Sequence, residues 1–304
     1  MDYFYVITNE QKDVGLQTTQ RIQNYLLQHG KKCQVREFQM ARQEGRAHGE
    51  GAIPKAFGGS REKGRYTDID LVPKETQCIL VLGGDGTLIQ AARDTLERQL
   101  PLLGINMGTL GYLAEIEKNH LEYALDCLME DRYLVEERMM LYGRVFREGK
   151  KVSEDCALND IVISRYGSLR VISYQLHVND AFLNAYAADG MIVATPTGST
   201  GYSLSAGGPI VSPSAAMTIL TPICPHTLNT RSVVLSPEDR IRIQIDPRKS
   251  TSQEEALVAF DGEQAAVLGG GDFVEIQRAR QVTKILKISN ASFLQVLRNK
   301  MGEN

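Results

Sequence analysis

"CILVLGGDGTLIQAARDTL", residues 78–96, is an apolar run that ends in a glycine pair, then an acid, another glycine and a helical pattern with Leu88, Ala91, Ala92 and Thr95 on one face. This is the pattern of a buried strand, a tight turn and an amphipathic helix, the start of a parallel βαβ unit. The turn falls at the carboxyl end of its strand, where α/β folds bind ligands. Glycines there let main-chain N–H groups approach phosphate oxygens, and the helix N-terminus adds a favourable dipole. Gly83, Gly84, Gly86 and Thr87 therefore read as a phosphate cradle. No lysine or arginine lies within 82–92, and the run matches neither G-x-x-x-x-G-K-[ST] nor G-x-G-x-x-G. Asp85 then stands uncompensated beside phosphate. It suits a proton acceptor for a hydroxyl nucleophile or a group facing a metal ion, and its plainer reading is a helix cap.

On either side of this run the first half alternates strands and helices. "YFYVIT" (3–8), "CQVREF" (33–38) and "PLLGIN" (101–106) are short β-like runs, and Val14, Ile22, Leu26 and Leu27 fall at roughly helical spacing. The order predicts a parallel sheet with crossover helices. Residues 41–76, glycine-rich and charged, predict a long mobile loop. After "YLVEERMML" (133–141) the rhythm changes to short alternating strands joined by "EGK", "ND" and "DG" turns, the signals of antiparallel hairpins. "SFLQVLRNKM" (292–301) returns to helical spacing at Phe293, Val296 and Leu297. The expected division is an α/β domain over 1–136, a β-rich domain over 137–288 and a C-terminal helix, 289–304, packing back on the first domain.

The 304 residues are 42% hydrophobic with a net charge of −3, which gives no broad basic field for nucleic acid. No stretch approaches the ~20 apolar residues of a membrane span, and the N-terminus has no basic leader, so a soluble cytoplasmic protein is expected. The five cysteines form no C-x-x-C pair, and the five histidines are dispersed, so neither a disulfide framework, a zinc site nor a Ser/His/Asp triad follows from spacing.

Three further stretches carry candidate chemistry. "DGMIVATPTGSTGYSLSAGGPIVSP" (189–213) runs a strand into a loop with hydroxyls at Thr197, Ser199, Thr200 and Tyr202, then a helical turn at Ser203–Ala206. It suits a polar ligand lying flat on backbone, with Tyr202 free to stack on a base or ribose. "ALNDIVISR" (157–165) sets an amide and a carboxylate, Asn159 and Asp160, side by side, able to fork onto a nucleoside, though Asn-Asp is more often a turn. "INMGTLGYLAE" (105–115) is a strand, then glycines, then Tyr112, and Arg170 is either a solvated strand charge or a phosphate clamp.

Taken together, "GGDGT" (83–87), "GTLGYL" (108–113), "NDIVISR" (159–165), the 189–213 stretch and "AFDGE" (259–263) resemble the ordered motif series of the NAD kinase family, over most of the chain. "GGDGT" is shared with 6-phosphofructokinases and lipid kinases, whereas "TPTGSTGYSLSAGGP" after Asp-Gly is highly specific. The resemblance implies phosphorylation of NAD at the adenosine 2′-hydroxyl to give NADP, with ATP as donor and a divalent cation such as Mg2+. It implies Asp85 as general base and the 83–87 turn as phosphate site. It places Asp85, Gly86, Tyr112, Asn159, Asp160 and Arg170 at the NAD, with Asp189, Thr197, Thr200, Gly201, Tyr202, Ser203, Ser205 and Glu263. It also implies a Rossmann-like α/β domain followed by an antiparallel β-sandwich-like domain, and a homodimer or homotetramer with the dinucleotide near a subunit boundary. Tyr112 stands where phenylalanine is common, Gly201 where alanine is common, and Glu263 where glutamine is frequent; Glu263 adds negative charge near a polyanion. A sugar kinase would need an arginine-rich site and a lipid kinase an apolar membrane-facing patch. A sensor that binds NAD without turnover gains little from Asp85.

Overall fold

The computed structural model describes residues 1–36, 67–108, 111–167, 170–227, 230–247, 256–289 and 291–302. Of the expected 41–76 loop, 41–66 lie outside the described residues, and 67–76 contain one 3-10 turn, Ile69–Leu71. The first half runs β1 (Tyr3–Thr8), α1 (Gln17–Gln28), β2 (Lys32–Val35), β3 (Cys78–Gly83), α2 (Asp85–Asp94), β4 (Leu102–Asn106), β5 (Ile116–Glu117) and α3 (Leu121–Met129). Strands β2, β1, β3, β4 and β5 pair in parallel, as the alternation of strand and helix patterns requires.

The second half runs β6 (Leu134–Arg147), β7 (Lys150–Ala157), β8 (Asp160–Arg165), β9 (Ile172–Val178), β10 (Ala181–Ala188), β11 (Gly190–Ala194), α4 (Tyr202–Ser205), β12 (Thr218–Ile223), β13 (Val233–Leu235), β14 (Ile241–Ile245), β15 (Ala256–Phe260), β16 (Glu263–Leu268), β17 (Phe273–Lys287) and α5 (Phe293–Gly302). One sheet orders its strands β13-β12-β11-β8-β15-β16, all antiparallel; the other, larger sheet carries β10-β9-β14-β17 onto the parallel strands of the first half. Inward-facing Val145, Ile161, Tyr174, Met191, Ile243, Val258 and Phe260 fill the core between these sheets. The fold is α/β plus antiparallel β, as expected. Its join differs from the expected break at 136/137: β6 runs unbroken across that point, and β17 pairs along its length with β6 while Ile285 meets Leu102 of β4.

Local chemistry explains the hairpins. Glu148-Gly149, Asn179-Asp180 and Asp261-Gly262 all have both φ values positive, the geometry of two-residue turns that match strand twist. α1 differs from its expected apolar face. Val14 is 75% and Leu27 59% exposed, and the buried face is Thr18, Thr19, Ile22 and Leu26. Gly15 and Leu16 adopt left-handed backbone, so Val14 belongs to a separate 3-10 turn and the helical phase restarts after it. Among the described residues no helix is long and apolar enough to cross a membrane.

Candidate active site

β3 ends at Gly83, and α2 begins at Asp85 with Gly84 as its N-cap in extended backbone. Any side chain at Gly83 would overlap Thr87. Thr87 and Leu88 return their amides to the Gly84 carbonyl at 3.0 and 3.2 Å, whereas among the described residues no acceptor meets the amides of Gly84, Asp85 and Gly86. These three are the orphan donors of a helix start, open to an anion.

Asp85 does not cap its own helix. Its Oδ2 accepts from the Tyr112 amide at 2.7 Å, and its Oδ1 from those of Leu113 and Ala114, each at 3.1 Å. Three of the roughly four acceptor positions of a carboxylate are thus filled, and one remains on Oδ2. A side chain at Gly111 would overlap the Asp85 carboxylate, which accounts for the glycine. The same loop holds the C-terminal segment: Glu115 accepts from the amides of Ile288 and Ser289 at 2.9 and 3.3 Å and pairs with Lys287. α5 follows, opened by a capping box between Ser292 and Gln295, and sets Phe293 against the Tyr112 ring, 6.4 Å between centroids. Tyr112, Leu113, Thr197, Thr200, Arg138 and Phe293 line one cleft.

The hydroxyl-rich loop forms the far wall of that cleft. Thr195, at the end of β11, donates its amide to the Asn159 carbonyl at 2.8 Å and its hydroxyl to the Leu158 carbonyl at 2.6 Å. Gly198 lies so close to the Asn159 backbone that a Cβ would overlap it, while a Cβ on Gly201 would stand 3.5 Å from Asn159 Nδ2 and 4.0 Å from Asp160 Oδ2. Asn159 Oδ1 and Thr197 Oγ1 are buried with no hydrogen-bond partner. Unpaired buried polar atoms cost about 1–3 kcal/mol each, and natural structures keep them where a ligand or water completes them. Thr200, Gly201, Tyr202 and Ser205 are at least partly exposed on this loop. Ser203 is not: it is buried and shares its hydroxyl with Thr221 at 2.9 Å, beneath the loop and away from the cleft.

Two residues that the sequence reading quoted within motifs but did not single out organise the floor. Asp261, in the β15–β16 turn, accepts from the amides of Leu158, Asn159 and Asp160 at 2.8, 2.7 and 3.1 Å, so Asn-Asp is a strand entry pinned by a carboxylate and not a turn. Arg93, on α2, has its side chain only 6% exposed, donates to Asp155 at 2.8 Å, and stands 3.9 Å from Asp261 and 2.9 Å from Glu263 in ion-pair contact. Burial opposes its charge, but Asp155, Asp261 and Glu263 outweigh that and hold it above the ordinary guanidinium value. Glu263 is therefore engaged by Arg93, a cation it shares with Asp155 and Asp261. Burial, and then the Asp261 charge, push Asp160 up to about 7.

Asp189 and Arg170 stand apart from this cluster. Asp160 pairs in register with Ala194, and Asp189 precedes β11 at its other end, about 17 Å away at ~3.4 Å per residue. There Asp189 is paired with Arg165 at 3.2 Å, and Arg170 lies exposed ahead of β9.

Residues 4–133 match the family model described as the ATP-NAD kinase N-terminal domain, and 158–288 the ATP-NAD kinase C-terminal domain. An NAD kinase of Lachnospira eligens is 43% identical over 99% of this chain and 100% of its own length, and one of Agathobacter rectalis 45% identical over 99% of each. In backbone the chain is similar to yeast NADH kinase complexed with NADH (TM-score 0.77, 21% identity, 100% of this chain and 88% of that one). It is similar also to an NAD kinase from Archaeoglobus fulgidus in complex with ATP (TM-score 0.73, 23% identity, 99% and 98%).

Proposed function

The chain belongs to the ATP-NAD kinase family and is an enzyme that phosphorylates NAD to NADP, and we propose that Asp85 is its general base. In this reading the 2′-oxygen of the adenosine ribose bonds to the γ-phosphorus of ATP. The bond from that phosphorus to the β,γ-bridging oxygen breaks, ADP leaves with the electron pair, and the hydroxyl proton passes to the open position on Asp85 Oδ2. The free amides of Gly84, Asp85 and Gly86 receive charge on the transferring group. The donor arrives as its complex with a divalent cation, Mg2+ being the ordinary one. Among the described residues no group of three His, Cys, Asp or Glu side chains is arranged to hold a metal ion, and the ion is carried by the phosphate oxygens of the donor.

The observation that carries this reading is the pair of unpartnered buried atoms, Thr197 Oγ1 on the cleft that the Asp85-bound loop helps line and Asn159 Oδ1, whose backbone packs against Gly198 next to it. A ribose and base edge supply the groups they lack. Gly86, Tyr112, Asn159, Asp160, Thr197, Thr200, Gly201, Tyr202 and Ser205 then contact NAD from one chain. Asp189 and Arg170, too distant, serve the site of a second copy. The open β10 edge, with Phe182 60% and Leu183 43% exposed, gives that copy an apolar surface to cover, in a homodimer or homotetramer. Five free thiols suit the reducing cytoplasm.

The test is ATP-dependent NADP formation by wild type and by Asp85→Asn. The variant should lose about 10²–10⁴-fold in kcat. NAD binding measured by calorimetry reports whether the 112–114 loop survives the change. Near-full kcat in a variant that still binds NAD removes Asp85 from the role of base.

A further inference from the structure

The phosphate turn has free amides and no cation of its own within 82–92, yet the fold brings one to it. The position a Cβ would take at Gly84 is 3.0 Å from Nζ of Lys12. Lys12 sits in the turn after β1, and that turn is fixed on both sides. The Asn9 amide donates to the Leu82 carbonyl at 2.9 Å, which pins the turn to the end of β3. The amides of Lys12 and Asp13 close back on the Asn9 carbonyl at 3.0 and 2.9 Å. Asp13, buried, receives the amides of Thr18 and Thr19 at 2.9 Å each and the Thr19 hydroxyl at 2.7 Å. Between these anchors Lys12 is exposed, and among the described residues no carboxylate pairs with it.

We infer that Lys12 is the cation of the phosphate site, binding the terminal phosphates of the donor over Gly84. The inference rests on the kinase reading above and adds a donor-binding residue to it. An ammonium is a compact point charge with three donors, suited to phosphate oxygens that differ in position along a polyphosphate chain. Beside the orphan amides of the turn, it meets the negative charge that accumulates as the γ-phosphoryl leaves ADP. Its exposure before the donor arrives is consistent with a charge whose partner is the substrate.

Lys12→Met and Lys12→Arg, made in the full chain, test this. At saturating NAD the Met variant should raise KM for MgATP about 10- to 100-fold, leave KM for NAD within about twofold, and melt at the wild-type temperature. Lys12→Arg should recover most of the ATP affinity. Calorimetry with MgATP alone, and with adenosine alone, decides the point independently of turnover: the Met variant should weaken MgATP and leave adenosine unchanged. Unaltered MgATP affinity in Lys12→Met overturns the assignment, and so does an equal loss for MgATP and NAD, which marks a disordered turn. A wild type that binds MgATP through Lys12 and forms no NADP overturns the kinase reading and leaves this one standing.

Discussion

At the scale of single residues, the site is organised by carboxylates that accept main-chain amides. Asp85 holds 112–114, and Asp261 holds 158–160, each with three donors. Asp160 lies beside Asp261 with little solvent, and burial followed by that charge pushes its carboxyl up to about 7. A carboxyl raised in the folded state binds more protons than the unfolded chain between its ordinary value and 7, so the stability it contributes is present at low pH and is lost as pH rises through 7. The melting temperature should therefore fall between about pH 4 and pH 7, and Asp160→Asn should flatten that fall and melt higher than wild type at pH 8. A decline of equal slope in the variant assigns it to other groups. That Asp85 is no ordinary helix cap was not legible, because its three amide partners at 112–114 come from a segment far along the chain. Nor was Lys12, because its approach to Gly84 depends on the Asn9–Leu82 hydrogen bond, a contact between segments far apart in the chain.

At the scale of elements, α2 is tied to the antiparallel sheet by Arg93. Its guanidinium reaches β7, the β15–β16 turn and β16, so the helix that starts at the phosphate turn also fixes the carboxylate beneath Asn159 and Asp160. Arg93→Met keeps the helix propensity and the bulk but leaves Asp261 buried without its cation. Removal of one partner from a buried ion cluster costs about 3–5 kcal/mol, and chemical denaturation should show a loss of that size, with NAD affinity reduced as well. A loss under about 1 kcal/mol places the cluster among solvent-screened pairs. The strands themselves were plain in the sequence: alternation and the EGK, ND and DG turns mark β6–β7, β9–β10 and β15–β16 where they occur. Arg93 lies near the end of the quoted 78–96 run and passed unremarked, since nothing in a periodic pattern tells a solvated arginine from one facing carboxylates on another sheet. The α1 face was misread for a related reason: left-handed Leu16 resets the helical phase, and leucine seldom signals such a conformation.

At the scale of the whole molecule, Asp160 and Asp189 lie at opposite ends of the β8–β11 ladder, so a dinucleotide site that uses both calls on two copies of the chain. If Asp189 serves a second copy, a mixture of the separately inactive Asp85→Asn and Asp189→Ala proteins, dissociated and reassociated together, should regain activity, up to about a quarter of wild type for a dimer. Absence of any recovery, with mixed oligomers demonstrated by mass, assigns Asp189 to its own chain. The two-part layout was readable from the switch between periodicities, but the seam was not. A strand that begins in one rhythm and ends in the other, as β6 does, offers no turn residue to mark a boundary. β17 has a consequence for how substrates reach their places. One end of it is hydrogen-bonded to β14 and the other to β4, with β6 along its opposite side. Swinging the halves apart like jaws would tear an interior ladder. The two sheets of the chain therefore share one chassis, and a hinge between its halves is closed off as a route for substrates.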